Sequence, residues 1–257
     1  MGSEEGKVLI YSIVGFFGGL YLFYKGFTWL RLKRLIENMP TSKIRGLAMG
    51  LAEIYGNAVP YQKKILKSPF NGKDCVYYRY SIEEYRRSGK SSHWVTVKKG
   101  SSNEHFCLED DTGRVLVDLE GANIEISKDF EFTNSLSLFG KNKPFPSSIS
   151  SFLTNNKLDM YRSRTTRYSE YVIEPDDGLY ILGTAGDNPF VEEATAGKSA
   201  EDIMMQKGKH DKIYYISDKS ERDVVKSYKW KSFGGIIGGA LLSVICLAVI
   251  LFILGLF

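Results

Sequence analysis

Apolar residues are gathered at the two ends of the chain into long unbroken runs, while between the runs they alternate with polar residues at short intervals. The first run, 8–30, contains one charge, Lys25, near its exit, and the second, 233–257, contains none. A hydrocarbon core of about 30 Å needs roughly twenty apolar residues in a helix, so each run predicts a transmembrane helix. Over 31–40, Arg31, Lys33, Arg34 and Glu37 interleave with Leu32, Leu35 and Ile36 until Pro40, which cannot continue a helix. This predicts a helical stalk, and a second stalk over 218–232, with Asp218 and Glu221 at capping-box spacing, leads into the last run.

The middle, 41–217, has a different rhythm. Short runs rich in Val, Ile and Tyr, punctuated by Gly, Asn, Asp and Pro, predict strands at 74–85, 93–98, 104–108, 114–118, 122–126, 167–174, 178–185, 202–206 and 212–217. Hairpins are expected around Asp110-Asp111-Thr112-Gly113 and around 207–211, and a short helix over 147–156. The fold class that follows is mainly β: a β barrel or sandwich-like domain with a few short helices, flanked by two transmembrane α-helices.

Glycines in the two spans repeat every fourth residue. Gly15 and Gly19 share one face of the first; Gly234 with Gly238, and Gly235 with Gly239, double the pattern in the second, and Ser243 continues it. Small residues at this spacing let backbones approach closely in lipid. The expected partner of each stripe is the other span of the same chain, with a homo-oligomer as the alternative. Basic residues flank the middle at both membrane entrances, Arg31, Lys33 and Arg34 on one side and Lys226, Lys229 and Lys231 on the other. They predict a cytoplasmic domain with both termini outside, an extracytoplasmic domain being the alternative. The first run is too long for a cleaved signal peptide and lacks its small-residue cleavage site.

A net charge of +4, of mixed sign and without long Lys/Arg blocks, argues against nucleic acid as a partner. The cysteines Cys75, Cys107 and Cys246 imply no disulfide framework, and none stands in a C-x₂-C pair. His93, His105 and His210 have no metal-ligand or catalytic spacing, and Gly197-Lys198-Ser199 fails as a phosphate loop because Glu192 occupies the place of its first glycine. No catalytic, cofactor-binding or metal residue is therefore assigned. The candidate partner surface lies on the strand 75–85. Alternation places Val76, Tyr78, Tyr80 and Ile82 toward the core, leaving Tyr77, Arg79 and Glu83, with Arg86 and Arg87 beyond, to meet a partner. The competing reading is that Arg79 and Glu83 only pair across neighbouring strands.

A run from Pro40 through Thr41-Ser42-Lys43-Ile44-Arg45-Gly46 to Gly50, then Ser68-Pro69-Phe70-Asn71-Gly72-Lys73 leading to Cys75-Val76-Tyr77-Tyr78-Arg79-Tyr80, resembles the GIDE domain. Asp110-Asp111-Thr112-Gly113-Arg114, Glu174-Pro175-Asp176-Asp177-Gly178 and Ile216-Ser217-Asp218 extend the likeness, which runs over about 37–231. That domain, also called the beside-a-membrane (BAM) domain, occurs in membrane-embedded E3 ubiquitin ligases of mitochondrial and chloroplast envelopes, between two spans. The resemblance implies a membrane-surface domain. The ligases carry a zinc-binding RING after the second span, which three cysteines cannot supply, so the chain is most similar to RING-less prokaryotic members. The expectation is a non-catalytic binding or scaffold domain for a protein, peptide or lipid partner. The alternative is an accessory part of a ligase system whose RING is on another chain.

Overall fold

The structure, a computed structural model, describes residues 3–89, 91–134, 144–191, 202–209 and 212–256. Its α-helices are α1 (Ser3–Asn38), α2 (Ser147–Asn155), α3 (Glu221–Phe233) and α4 (Gly239–Ile253). The chain divides into two compact units, Met1–Pro40 with Ser220–Phe257, and Thr41–Lys219.

In the helical unit, α1 runs unbroken through the expected stalk, and α3 passes into α4 through a π-helical turn at Gly234–Gly238. Both helical stretches are long and apolar enough to cross a membrane. Large apolar side chains such as Tyr11, Val14 and Phe17 on α1 and Leu241, Val244 and Ile245 on α4 are exposed, as lipid-facing residues are. The glycine pattern is only partly at the contact between the helices. A Cβ on Gly15 would stand 2.6 Å from Cys246 Sγ, one on Gly19 2.8 Å from the Gly239 carbonyl, and one on Gly235 3.0 Å from Gly26 Cα. One on Gly239 would be 2.5 Å from Phe23 N, and Ser243 donates its hydroxyl to the Phe16 carbonyl at 3.3 Å. By contrast, a Cβ on Gly234 or Gly238 would meet nothing within 4 Å. These two are a correction to the expected stripe: one residue back from Gly235 and Gly239 is a rotation of about 100°, onto the outer face. Gly26, which the spacing does not single out, is at the contact instead.

The β unit starts with β1 (Gly50–Pro60), β2 (Leu66–Lys67), β3 (Asp74–Cys75), β4 (Tyr77–Ser88) and β5 (Ser91–Ser101). Next come β6 (Phe106–Glu109), β7 (Arg114–Val117), β8 (Asn123–Glu125) and β9 (Phe130–Asn134). After α2, β10 (Thr166–Ile173), β11 (Gly178–Asp187), β12 (Ile203–Gln206) and β13 (Tyr215–Ser217) complete it. Strands β1, β6, β7, β12 and β11 close into a five-stranded barrel, because β1 pairs with β11 over Gly50–Asn57 and then with β6 over Asn57–Pro60. Gly56 immediately precedes Asn57, where β1 changes partner; a Cβ there would overlap the Glu109 carbonyl oxygen. Ile54, Ala58, Phe106, Leu108, Val115, Val117, Ile181 and Met205 fill the barrel. Strands β13 and β8 extend it beyond β11.

A second sheet, ordered β5-β4-β10-β9 and antiparallel throughout, packs one face on α2. Tyr80, Ile82 and Tyr168 meet Ile149 and Leu153 of the helix and Phe70 of the preceding loop. The rings cross edge to face, Phe70 standing 5.3 Å from Tyr80 and 5.7 Å from Tyr168, the arrangement that aromatic quadrupoles favour. The mainly β fold expected from the sequence is thus present, as a barrel joined to a helix-backed sheet. Three strands, β1, the two-residue β2 and β9, were not foreseen. The second expected hairpin is a correction: β12 and β13 do not pair with each other but with successive stretches of β11, Thr184–Asp187 and Tyr180–Leu182, and residues 210–211 between them lie outside those described.

Candidate functional site

The sheet face opposite α2 carries Arg79, Ser81 and Glu83 of β4, Trp94, Thr96, Lys99 and Ser101 of β5, and Arg167, Ser169 and Tyr171 of β10, by their registers. A cleft of about 530 Å³ opens there, lined by Arg79, Ser81, Thr96, Lys99, Ser101 and Tyr171, with Tyr80 and Gly100. The Arg79 guanidinium lies 4.5 Å from the Tyr171 ring centroid and donates to the Ile124 carbonyl at 3.2 Å, so its charge is held in place. Lys99 is exposed and, among the described residues, in no ion pair. Gly100 is required beneath: a Cβ would stand 2.6 Å from the Tyr80 hydroxyl. A fixed cation, a free cation, an aromatic ring and three hydroxyls suit an anionic or strongly polar group.

The five residues expected to form a partner surface are not brought together in this cleft. Tyr77 is a correction: it is 4 % exposed and packs in the barrel core beside Val76. Strand order breaks at Val76, whose amide donates to the Ile173 carbonyl, and the barrel covers the opposite face of β4 at its first residue, so Cys75, Val76 and Tyr77 are buried in succession. Glu83 lies directly across from Arg167, which donates to it at 2.8 Å and stacks 4.5 Å over Trp94. Arg86 donates to Glu84 at 2.8 Å, and Arg164 reaches the same carboxylate at 2.6 Å. Arg87 is exposed beyond them. Of the five, Arg79 alone lines this cleft. Thr96, Lys99, Ser101 and Tyr171 went unforeseen because their place depends on the β4–β5 and β4–β10 registers, for which a hairpin turn at Ser88-Gly89 would have been the only clue.

A second cleft, about 570 Å³, adjoins the first at Ser101 and includes Tyr77, Asn103, His105, Asp118 and Glu120 in its lining. His105 Nε2 is 3.8 Å from Asp118 Oδ1, beyond hydrogen-bond range, and its ring meets Phe190 edge-on. Among the described residues no three His, Cys, Asp or Glu side chains are placed to hold a metal ion. His93 is exposed on β5; His210 and Gly197-Lys198-Ser199 lie outside the described residues. The Cys75 thiol is pushed up to about 12 by burial and then by the nearby Glu170, Asp74 and Glu174 carboxylates, which leaves it unreactive.

The segments that carry the family likeness hold loops to strands. Glu170, fully buried on β10, accepts the amides of Phe70 and Asn71 at 2.8 and 2.9 Å, fixing the Ser68–Lys73 loop under the sheet. Asp110 accepts from its own turn, Thr112 N at 2.7 Å and Gly113 N at 3.0 Å, and from Ile44 N at 3.0 Å. The family model for GIDE, described as E3 Ubiquitin ligase, matches residues 77–251, more than half of the chain.

The chain belongs to the GIDE family.

No curated protein and no solved structure matches it. The match takes in β4 to α4, and therefore the cleft and the second apolar helix of this GIDE chain. The earlier likenesses around Ile44 and Phe70 precede it, yet both are bound to matched residues, Asp110 and Glu170. In this GIDE protein the family segments build the frame, and the cleft is what the frame presents.

Proposed function

We propose that this GIDE-family chain is a non-catalytic, membrane-tethered binding module that recognises a protein, peptide or lipid partner at the membrane surface, with its β domain on the cytoplasmic side. The observation that carries this reading is the cleft on the four-stranded sheet, where Arg79 is fixed by Tyr171 and Ile124 while Lys99 is left to a partner. Its lining offers charge and hydrogen bonds rather than an activated nucleophile. The two apolar helices support tethering, and the basic residues at 31–34 and 226–231 support the cytoplasmic side. Capture from detergent-solubilised membranes, read by mass spectrometry of proteins and lipids, tests it by comparing the parent with Lys99→Glu and with Lys157→Glu, a change outside the cleft. A partner lost only with Lys99→Glu supports the reading; identical captured sets for all three sink it.

The family's description as an E3 ubiquitin ligase favours a second reading, an accessory or substrate-recruiting component whose RING is on another chain. A zinc-binding RING protein among the captured partners, with conjugates that vanish when this chain is deleted, would select it over the first.

A further inference from the structure

The strand β5 is an open edge. It terminates the sheet order β5-β4-β10-β9, spans eleven residues, Ser91–Ser101, and among the described residues pairs with β4 alone. The direction of its free main-chain groups follows from two hydrogen bonds. Tyr85 N donates to the Thr165 carbonyl at 2.9 Å, so the odd residues of β4 turn toward β10, and Ser102 N donates to the Tyr78 carbonyl at 3.0 Å, so the even ones turn toward β5. The β5 residues opposite the odd set, Ser92, Trp94, Thr96, Lys99 and Ser101, therefore direct N–H and C=O away from the sheet. Three of these five also line the cleft.

Natural edges are shielded by shortness, proline, bulges or charge. This one is long and proline-free, has a single register shift opposite Ile82/Glu83, and carries charge of one sign. Lys98 and Lys99 on β5 and Arg87 on the neighbouring strand are exposed and, among the described residues, in no ion pair. Edge-to-edge pairing with a second copy would set these cations against each other. An acidic chain would meet charge complementarity and a main-chain template together.

Resting on the binding reading above, we propose that the partner is an extended acidic protein segment that adds as a fifth strand to the edge of β5, with its side chains on the cleft face adjoining Thr96, Lys99 and Ser101. Main-chain pairing supplies affinity in such complexes and alternate side chains supply selectivity.

The test uses the full chain in detergent micelles and a fluorescein-labelled nonapeptide of alternating glutamate and valine, with the lysine–valine counterpart as control. Fluorescence anisotropy should report binding of the acidic peptide only. Thr96→Pro removes an outward N–H at an edge position where proline is tolerated, and should weaken binding by about tenfold, the equivalent of one main-chain hydrogen bond. Hydrogen exchange should slow over 91–101 on peptide addition, and exchange over β10 in Thr96→Pro should match the parent, showing that the sheet is intact. Absence of binding to the parent, or equal affinity for parent and Thr96→Pro, overturns the edge. Binding of phosphatidylserine vesicles in competition with the peptide, insensitive to Thr96→Pro, overturns it in favour of a lipid surface. A partner that depends on Lys99 but not on Thr96 overturns strand addition and leaves the binding module standing, whereas loss of both dependences removes the module as well.

Discussion

Two carboxylates, the fully buried Glu170 and the half-buried Asp110, tie this fold together and should respond to pH in opposite directions. Burial raises the Glu170 carboxyl, and the amides of Phe70 and Asn71 only partly offset that, so its contribution to stability falls as pH rises through its raised folded-state value. Burial also pushes Asp110 upward, but hydrogen bonds from Thr112 and from the amides of Ile44, Thr112 and Gly113 outweigh it and hold the carboxyl below its ordinary value. A group held low stabilises the fold above the unfolded-state pKa, and that stabilisation is lost as pH falls through the folded-state value. Asp110→Asn should lower stability at neutral pH by roughly 1–2 kcal/mol, since an amide replaces the charged acceptor of several bonds. The deficit should shrink as pH falls below about 4, the ordinary aspartate value, and close only below the lower folded-state value, where the parent loses its charge as well. Thermal unfolding of the solubilised protein across pH measures both; a deficit independent of pH would attribute the loss to shape instead of charge. The turn role of Asp110 was readable from Asp-Asp-Thr-Gly between two apolar runs. Its bond to Ile44 was not, because a contact across 66 positions leaves no local pattern.

At the scale of elements, periodicity located most strands and both apolar helices, and it erred where one element serves two neighbours. Alternation along β4 correctly separates Tyr80 and Ile82 from Arg79 and Ser81, but Tyr77 is buried on the face the pattern assigns to solvent, because the barrel covers that end of the strand. Likewise, β1 closes the barrel by changing partner at Asn57, a tertiary event with no repeat to betray it. The helices allow a direct test of which glycines matter. Since a Cβ on Gly15 would stand 2.6 Å from Cys246 Sγ, Gly15→Cys should form an intrachain disulfide with native Cys246 on mild oxidation. Adding Gly239→Leu, which drives bulk into Phe23, should reduce that crosslink, whereas Gly238→Leu should not, because its side chain enters open space. Individual interhelical contacts are worth only about 1 kcal/mol, so trapping yield is a better readout than gross dissociation. Crosslinks found only between differently tagged chains would replace the single-chain pair with an oligomer.

For the whole molecule the decisive question is sidedness, since a binding module can meet only partners in its own compartment. Three basic residues follow the first apolar run, Arg31, Lys33 and Arg34, and three precede the second, Lys226, Lys229 and Lys231, so both flanks agree and both favour the cytoplasm. Acidic residues contribute little to this preference, and Glu4 and Glu5, which precede the first apolar run in the first turn of α1, do not oppose it. The three cysteines, all free thiols here, are compatible with a reducing compartment. A reporter must avoid the cleft, where a partner could shield it, and Asn155, exposed at the end of α2, meets that need. In a Cys107→Ser background, Asn155→Cys should react with a membrane-impermeant maleimide only after intact cells are permeabilised. Labelling without permeabilisation would put the domain outside the cytoplasm. It would also move the search for the acidic segment to that compartment, while leaving the chemistry of Arg79, Lys99 and the open edge of β5 as it stands, because those depend on the fold and not on the side of the membrane it faces.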